Sequence, residues 1–276
     1  MRRLPMPPFS AREALDLCIQ SIRDTDLKLR LGHAATAMDA AETEYVRHGN
    51  ESTLHLVICT QGVSSVSASE MGRVYAGTFV KSSRTRHIYD AIKSAPENDI
   101  CPLCGQRTVS TLDHYLPQST HSALVVTSAN LVPACWECNW IKLAREAANA
   151  EEQTLHPYFD KVDADRWLFA EVRQTAPAAL HFSAIPPDAW PAVIRQRVVS
   201  HFQTFELSKL YASHAAVELG NIRFGLEQLA AVGATKIAEH LATRADSCAA
   251  ANPNSWQRAT YQALADSEWF CGGGFR

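Results

Sequence analysis

The chain has 276 residues, 46% of them hydrophobic and 20% charged, which permits a sizeable core and excludes both intrinsic disorder and a single zinc-stapled module; two or three packed units are expected. A formal net charge of −3 excludes a chain that holds nucleic acid through a general basic excess, because non-specific affinity for DNA comes from lysine and arginine displacing counterions. Any DNA-binding surface must be local or borrowed.

The opening MRRLPMPPFSAREALDL is positively charged but lacks an apolar core of signal-peptide length. No run anywhere approaches 18 apolar residues, so a cytoplasmic protein with no membrane partner is expected. Phe9-Ser10-Ala11-Arg12-Glu13 carries a capping-box signature, and Leu15, Cys18, Ile19 and Ile22 fall on one face of the helix behind it. A second helix carries Ala34, Met38, Ala41 and Tyr45 and ends near Gly49. LHLVIC at 54–59 is short and apolar and fits either a strand or a buried helix. Ser67 and Glu70 offer another capping box, followed by a stripe of Met71, Val74, Tyr75 and Phe79. Residues 1–80 therefore form a helical region.

A short helix with Ile88, Ala91 and Ile92 ends before Pro96. Arg84, Arg86 and Lys93 make the densest basic cluster of this stretch and are candidates for phosphate contact, or else a solvated helix face. His87 is a surface or core residue.

Between 101 and 142 the sequence concentrates its chemistry. Cys101/Cys104 and Cys135/Cys138 form two Cys-x2-Cys knuckles, the spacing of a structural zinc site. The remaining cysteines, Cys18, Cys59, Cys248 and Cys271, have no framework spacing and read as free thiols in a reducing compartment. Between the knuckles stand Asp113-His114 in LDHYLP and Asn130 in NLVP; Asn139 follows Cys138, and Lys142 comes three residues later. Taken singly, Asp-His suits a turn, either asparagine suits a turn or helix cap, and Lys142 suits a solvated helix face as well as a phosphate contact. The helix bearing Lys142 is expected to continue through REAANAEEQ. His156, in LHPYFD, is a packed or capping histidine or a neighbour of the site.

Together these residues resemble the HNH endonuclease family in its four-cysteine zinc form. The resemblance covers residues 81–160 and implies a two-stranded hairpin followed by a helix cradling one divalent cation, Mg2+ or Mn2+. It implies Asp113 and Asn139 as oxygen ligands, His114 as general base, and Asn130 as the residue holding the loop that orients His114. The residue types suit that chemistry. Two oxygen ligands leave most of a hard cation's shell to water and phosphate, and a neutral imidazole accepts a proton from water near operating pH. Yet residues 81–160 hold seven Lys and Arg against nine Asp and Glu, a net of −2.

Residues 161–276 read as a separate α-rich region. WLFAEV and ALHFSAI pair as a hairpin. Helical stripes follow through Ile194, Val198, Phe202 and Phe205, then Leu210, Ala215 and Leu219, then Ile237 and Leu241, then Trp256, Tyr261 and Leu264. The tail WFCGGGF is too hydrophobic to float freely. There is no nucleotide-binding glycine loop and no repeat. The opening RLPMPPFSAREALDLCIQSIRDTDLKLRL, the motifs LDHYLP, NLVPAC, CN and HPYFD, and the close NSWQRATYQALADSEWFCGGGF resemble the HNH nuclease subunit of Septu anti-phage systems, some of them retron-associated. That resemblance implies an ATPase partner and a defence role. The expectation is thus an α+β, mostly α protein with a ββα-metal core: an endonuclease, or alternatively a catalytically silent zinc-ribbon module that binds nucleic acid or protein.

Overall fold

The computed structural model describes residues 1–143 and 147–276. The chain is α+β and mostly helical, with small two-stranded sheets. It divides into two compact units, Met1–Asp160 and Lys161–Arg276. Among the described residues no helix is long and apolar enough to cross a membrane.

The first unit opens with α1 (Ala11–Ser21), whose N-cap Ser10 accepts from the Glu13 N–H. Glu13 does not complete the expected capping box; instead the next N–H of the first turn, that of Ala11, donates to the Glu42 carboxylate, and burial raises that carboxyl above its usual range. Glu42 lies on α2 (Thr25–Asn50), capped by Asp24, with Ala34, Met38 and Tyr45 buried along one stripe. The segment 54–59 is neither strand nor buried helix. It makes one 3-10 turn at Leu54–Leu56 and leaves Leu56 and Ile58 exposed. A two-residue hairpin, β1 (Gly62–Val63) with β2 (Val66–Ser67), leads into α3 (Ala68–Arg73), where Ser67 and Glu70 form a complete capping box. A π turn at Val74–Phe79 and α4 (Arg86–Lys93) follow; on α4, Ile88, Tyr89 and Ile92 are buried while Ala91 is exposed.

The helices share one core with the chemistry-bearing segment: Leu15, Leu31, Met38, Met71, Phe79 and Ile88 belong to the same buried cluster as Leu112, Val125, Val126 and Leu131. Leu112 lies on β3 (Thr111–His114) and Leu131 on β4 (Leu131–Ala134). After β4 comes α5 (Trp136–Lys142), which does not continue as expected. Leu143 takes a positive φ of 45°, and Asn149 and Glu152 cap a local turn of their own. Of the expected continuation, residues 144–146 lie outside the described residues.

In the second unit β5 (Leu168–Arg173) pairs antiparallel with β6 (Ala179–Ala184), Leu168 opposite Ala184 and Arg173 opposite Ala179, as the alternating apolar face predicts. Helices α6 (Ala192–Thr204), α8 (Ala234–Ala251) and α9 (Trp256–Ala265) bury Val198 and Phe202, Ile237 and Leu241, and Trp256, Tyr261 and Leu264 as expected, whereas α7 (Leu207–Ala230) buries Leu207, Tyr211, Ala215, Ile222 and Leu226 and leaves Leu210 and Leu219 only part-buried. Trp167, Phe182, Phe205, Tyr261 and Phe270 are fully buried in it. The terminal segment is packed, with Phe270, Cys271 and Phe275 all buried.

Candidate metal centre and adjoining cleft

Two tight turns bring the knuckles together. Cys101 N–H donates to Arg107 O, and Gly105 N–H donates back to Cys101 O, with Gly105 at a φ of +64° that a side chain would strain. The Arg107 N–H points at Cys104 Sγ and the Cys138 N–H at Cys135 Sγ, both at 3.4 Å. Cys135 is also the N-cap of α5. All four cysteines are buried, and their Sγ atoms lie within 4.8 Å of one another. A tetrahedral zinc with Zn–S bonds of about 2.3 Å sets its sulfurs about 3.8 Å apart, so the donor set, its softness and its spacing fit Zn2+. Such a closed site is structural, with no position left for substrate.

The second knuckle positions the cleft beside it. Asp113 sits opposite Val132 and His114 opposite Leu131 in the β3–β4 ladder, and α5 leaves the end of β4 through Cys135. Asp113, His114 and Asn139 thereby line one open cleft of about 330 Å3. Asn139 is half-buried, and among the described residues its carboxamide makes no hydrogen bond.

His114 Nε2 donates to Val125 O at 2.9 Å. A carbonyl only accepts, so that nitrogen carries the hydrogen and Nδ1 carries the lone pair. Burial depresses the imidazole to about 4, and the Lys142 charge acts in the same direction against the pull of Val125 O. The ring is therefore neutral near pH 7. Tyr75, from the π turn, packs edge-on against it at 4.4 Å between centroids and also lines the cleft.

Asn130 is fully buried and does not reach the cleft. Its Oδ1 accepts from Leu116 N–H at 2.8 Å, and its Nδ2 donates to Leu116 O and Leu124 O. It thereby ties together the two ends of the loop that presents Val125 O to His114.

Lys142 is not a solvated helix residue. It is 5% exposed, with Nζ 2.6 Å from His114 O and 3.2 Å from Asp113 Oδ2. Burial raises the Asp113 carboxyl above the usual carboxylate range, and Lys142 offsets this only in part. Arg84 and Arg86 are exposed, and Arg86 pairs with Asp90 at 2.8 Å. Neither they nor Lys93 belong to the cleft lining.

His156 takes the packed alternative. It is fully buried, its Nδ1 accepts from Tyr158 N–H at 3.2 Å, and its Nε2 meets Tyr45 Oη at 3.0 Å. Trp136 and Trp140 also line the cleft, stacked 5.4 Å apart and 9° from parallel. Their i,i+4 spacing was visible in CWECNWIK, but periodicity alone could not separate them from core.

Fold and site together define an α+β, mostly helical protein with a buried four-cysteine cluster suited to a metal such as zinc. Over nearly its whole length it is similar to protein ea31 of Escherichia phage lambda, 24% identical across 297 aligned residues that cover 98% of this chain and 99% of that one. No family model matches the chain, and no solved structure does.

Proposed function

We propose that this chain is an HNH-type endonuclease that hydrolyses phosphodiester bonds of nucleic acid, DNA foremost, around one catalytic Mg2+ or Mn2+. One observation carries the reading: Asp113, His114 and Asn139 share a cleft in which the imidazole is neutral, fixed in one tautomer and pinned to a backbone carbonyl. Asp113 and Asn139 would hold the cation through oxygen atoms, a donor set suited to a hard ion. When bound, it supplies Lewis-acid stabilisation of charge on the phosphate and the leaving 3′ oxygen. His114 Nδ1 takes the proton of the attacking water, and Val125 O holds the opposite ring nitrogen so that the lone pair keeps its aim. Asn130 maintains the loop that makes this possible. The product ends are a 5′-phosphate and a 3′-hydroxyl.

An ATPase partner in anti-phage defence belongs to the same reading. Its support is the net charge of −3, too little positive charge for independent grip on DNA, together with a second helical unit that has no catalytic motif of its own. Similarity to ea31 spans both units, which supports their working as one module.

A catalytically silent zinc-ribbon module is the second reading, favoured by the engagement of Asp113 with Lys142. A plasmid-nicking assay with Mg2+ and with Mn2+, run with and without co-purified partners, separates the two. Wild type is expected to nick, and His114→Ala to lose nicking with zinc content kept. Nicking by His114→Ala at the wild-type rate would remove the histidine from the chemistry, and no nicking by the wild type under any of these conditions would favour the silent module.

A further inference from the structure

Trp136 and Trp140 stand out among the chain's tryptophans. Of six tryptophans, only these two are counted as exposed among the described residues, at 59% and 58%. They sit one helical turn apart on α5, on either side of Asn139, and line the same cleft as Asp113 and His114. Leu143, 58% exposed, extends the apolar rim. A core role is ruled out by the exposure, and the knuckle does not require these residues, since Cys135 and Cys138 are held by their own turn.

We propose that the stacked indoles are a platform for an unpaired nucleobase next to the scissile phosphate, so that the substrate is a single strand, loop or flap. The proposal rests on the nuclease reading above and specifies its substrate. Aromatic faces hold single strands by base stacking whatever the sequence, because every base has a π face. In a duplex both faces of a base are already covered by its neighbours, so such a platform engages only a nucleotide that has left the stack.

The geometry also says where the base goes. Bases stack at about 3.4 Å per nucleotide, so inserting one between two rings needs about 7 Å. The indole centroids are 5.4 Å apart, so the base continues the stack from an outer face.

Charge points the same way. Among the described residues, Lys142 is engaged with Asp113 and His114 O, Arg86 with Asp90, and Arg107 with Glu137 at 3.7 Å. Residues 81–160 carry a net charge of −2, and stacking is a contact that does not depend on counterion release.

The test uses the full-length, zinc-loaded chain carrying His114→Ala, without added Mg2+, so that binding is read apart from cleavage. The probe is a fluorescent oligothymidylate, compared by anisotropy with a duplex of equal length. The single strand is expected to bind more tightly and to lose less than about tenfold in affinity between about 50 and 200 mM salt, as for one or two phosphate contacts. Trp136→Ala and Trp140→Ala are each expected to weaken it on the order of tenfold, with zinc content unchanged and affinity restored by Phe at the same position.

Equal or tighter duplex binding, no single-strand binding by the parent, or Trp→Ala variants with unchanged oligonucleotide affinity would overturn the platform. So would Trp→Ala variants that lose only a co-purifying protein, since the indoles would then be a protein-docking surface. Nicking by the same chain with His114 restored reports on the nuclease reading separately.

Discussion

The Lys142 side chain reaches from α5 to hold Asp113 and the His114 carbonyl of β3 at once, and both members of the ion pair are below a tenth exposed. Removing one partner of a buried pair strands the other charge, which costs more than the pair itself contributes. Lys142→Met keeps most of the stem volume and deletes the charge. It is expected to destabilise the first unit by about 3 kcal/mol, read as a fall in the urea midpoint at unchanged slope, and a loss below about 1 kcal/mol would show that Asp113 finds another partner or is neutral. The burial of Lys142 had a readable sign. It lies four residues beyond Cys138 and so on the same helical face as a zinc-site cysteine, although its charge argued for solvent. The positions of the cysteines follow from spacing alone, because two knuckles have few ways to meet. The partners of His114 do not: Val125 O and Tyr75 come from a loop and a π turn that no periodicity marks.

At the level of elements, capping and alternation carry most of what the sequence discloses. Ser67 and Glu70 form the reciprocal cap that their spacing predicts, but Glu70 also receives both guanidinium nitrogens of Arg30, at 3.0 and 2.7 Å, which fastens α2 to the start of α3. That pairing is non-local and has no sequence signature. Arg30, followed by Ser67, depresses the Glu70 carboxyl from 4.5 to about 2. A depressed acid contributes stability that is fully present above its unfolded value and is lost as pH falls through its folded value. Glu70→Gln is therefore expected to be less stable than wild type at neutral pH, with the difference shrinking as pH drops from about 4.5 towards 2. Parallel urea titrations at several pH values measure it, and a pH-independent gap would point to lost packing.

In the second unit Asn254 plays a comparable part. Its Oδ1 accepts from Trp167 N–H and Leu168 N–H and its Nδ2 donates to Asp165 O, joining the turn before α9 to the entry of β5. Asn254→Ala leaves backbone groups there without partners and is expected to cost about 2 kcal/mol in thermal or urea unfolding. The β5–β6 hairpin and the helical stripes were legible because they repeat every second or every third to fourth residue. The end of α5 was not, since it depends on the backbone of Leu143 and on a turn closed by Glu152.

On the scale of the whole molecule, the metal ligands lie in one unit only. Cys101, Cys104, Cys135 and Cys138 all fall within Met1–Asp160, and none belongs to the hydrophobic cluster that joins α1–α4 to the β3–β4 segment. In zinc-finger peptides structural zinc supplies about 10–16 kcal/mol of apparent binding free energy, while a whole domain is stable by about 5–15 kcal/mol. Losing the metal therefore removes as much free energy as holds such a unit folded, and the loss should begin where the sulfurs are. With zinc bound, a strong chelator is expected to abolish hydrogen-exchange protection first at the two knuckles, within 101–107 and 135–143, and then more weakly in the core that α1 to α4 share with β3 and β4. Lys161–Arg276 contains no ligand and has its own buried aromatic core, so its protection should be unchanged. Cys101→Ser and Cys138→Ser should reproduce the pattern without chelator, with bound zinc falling in elemental analysis. Asp113→Ala and Asn139→Ala should keep zinc and instead raise the Mg2+ or Mn2+ concentration needed for nicking. If all four variants lost zinc equally, the division between a structural and a catalytic ion would be wrong. If chelation left the two knuckles fully protected, the cysteines would be holding the fold as packed thiols without a metal.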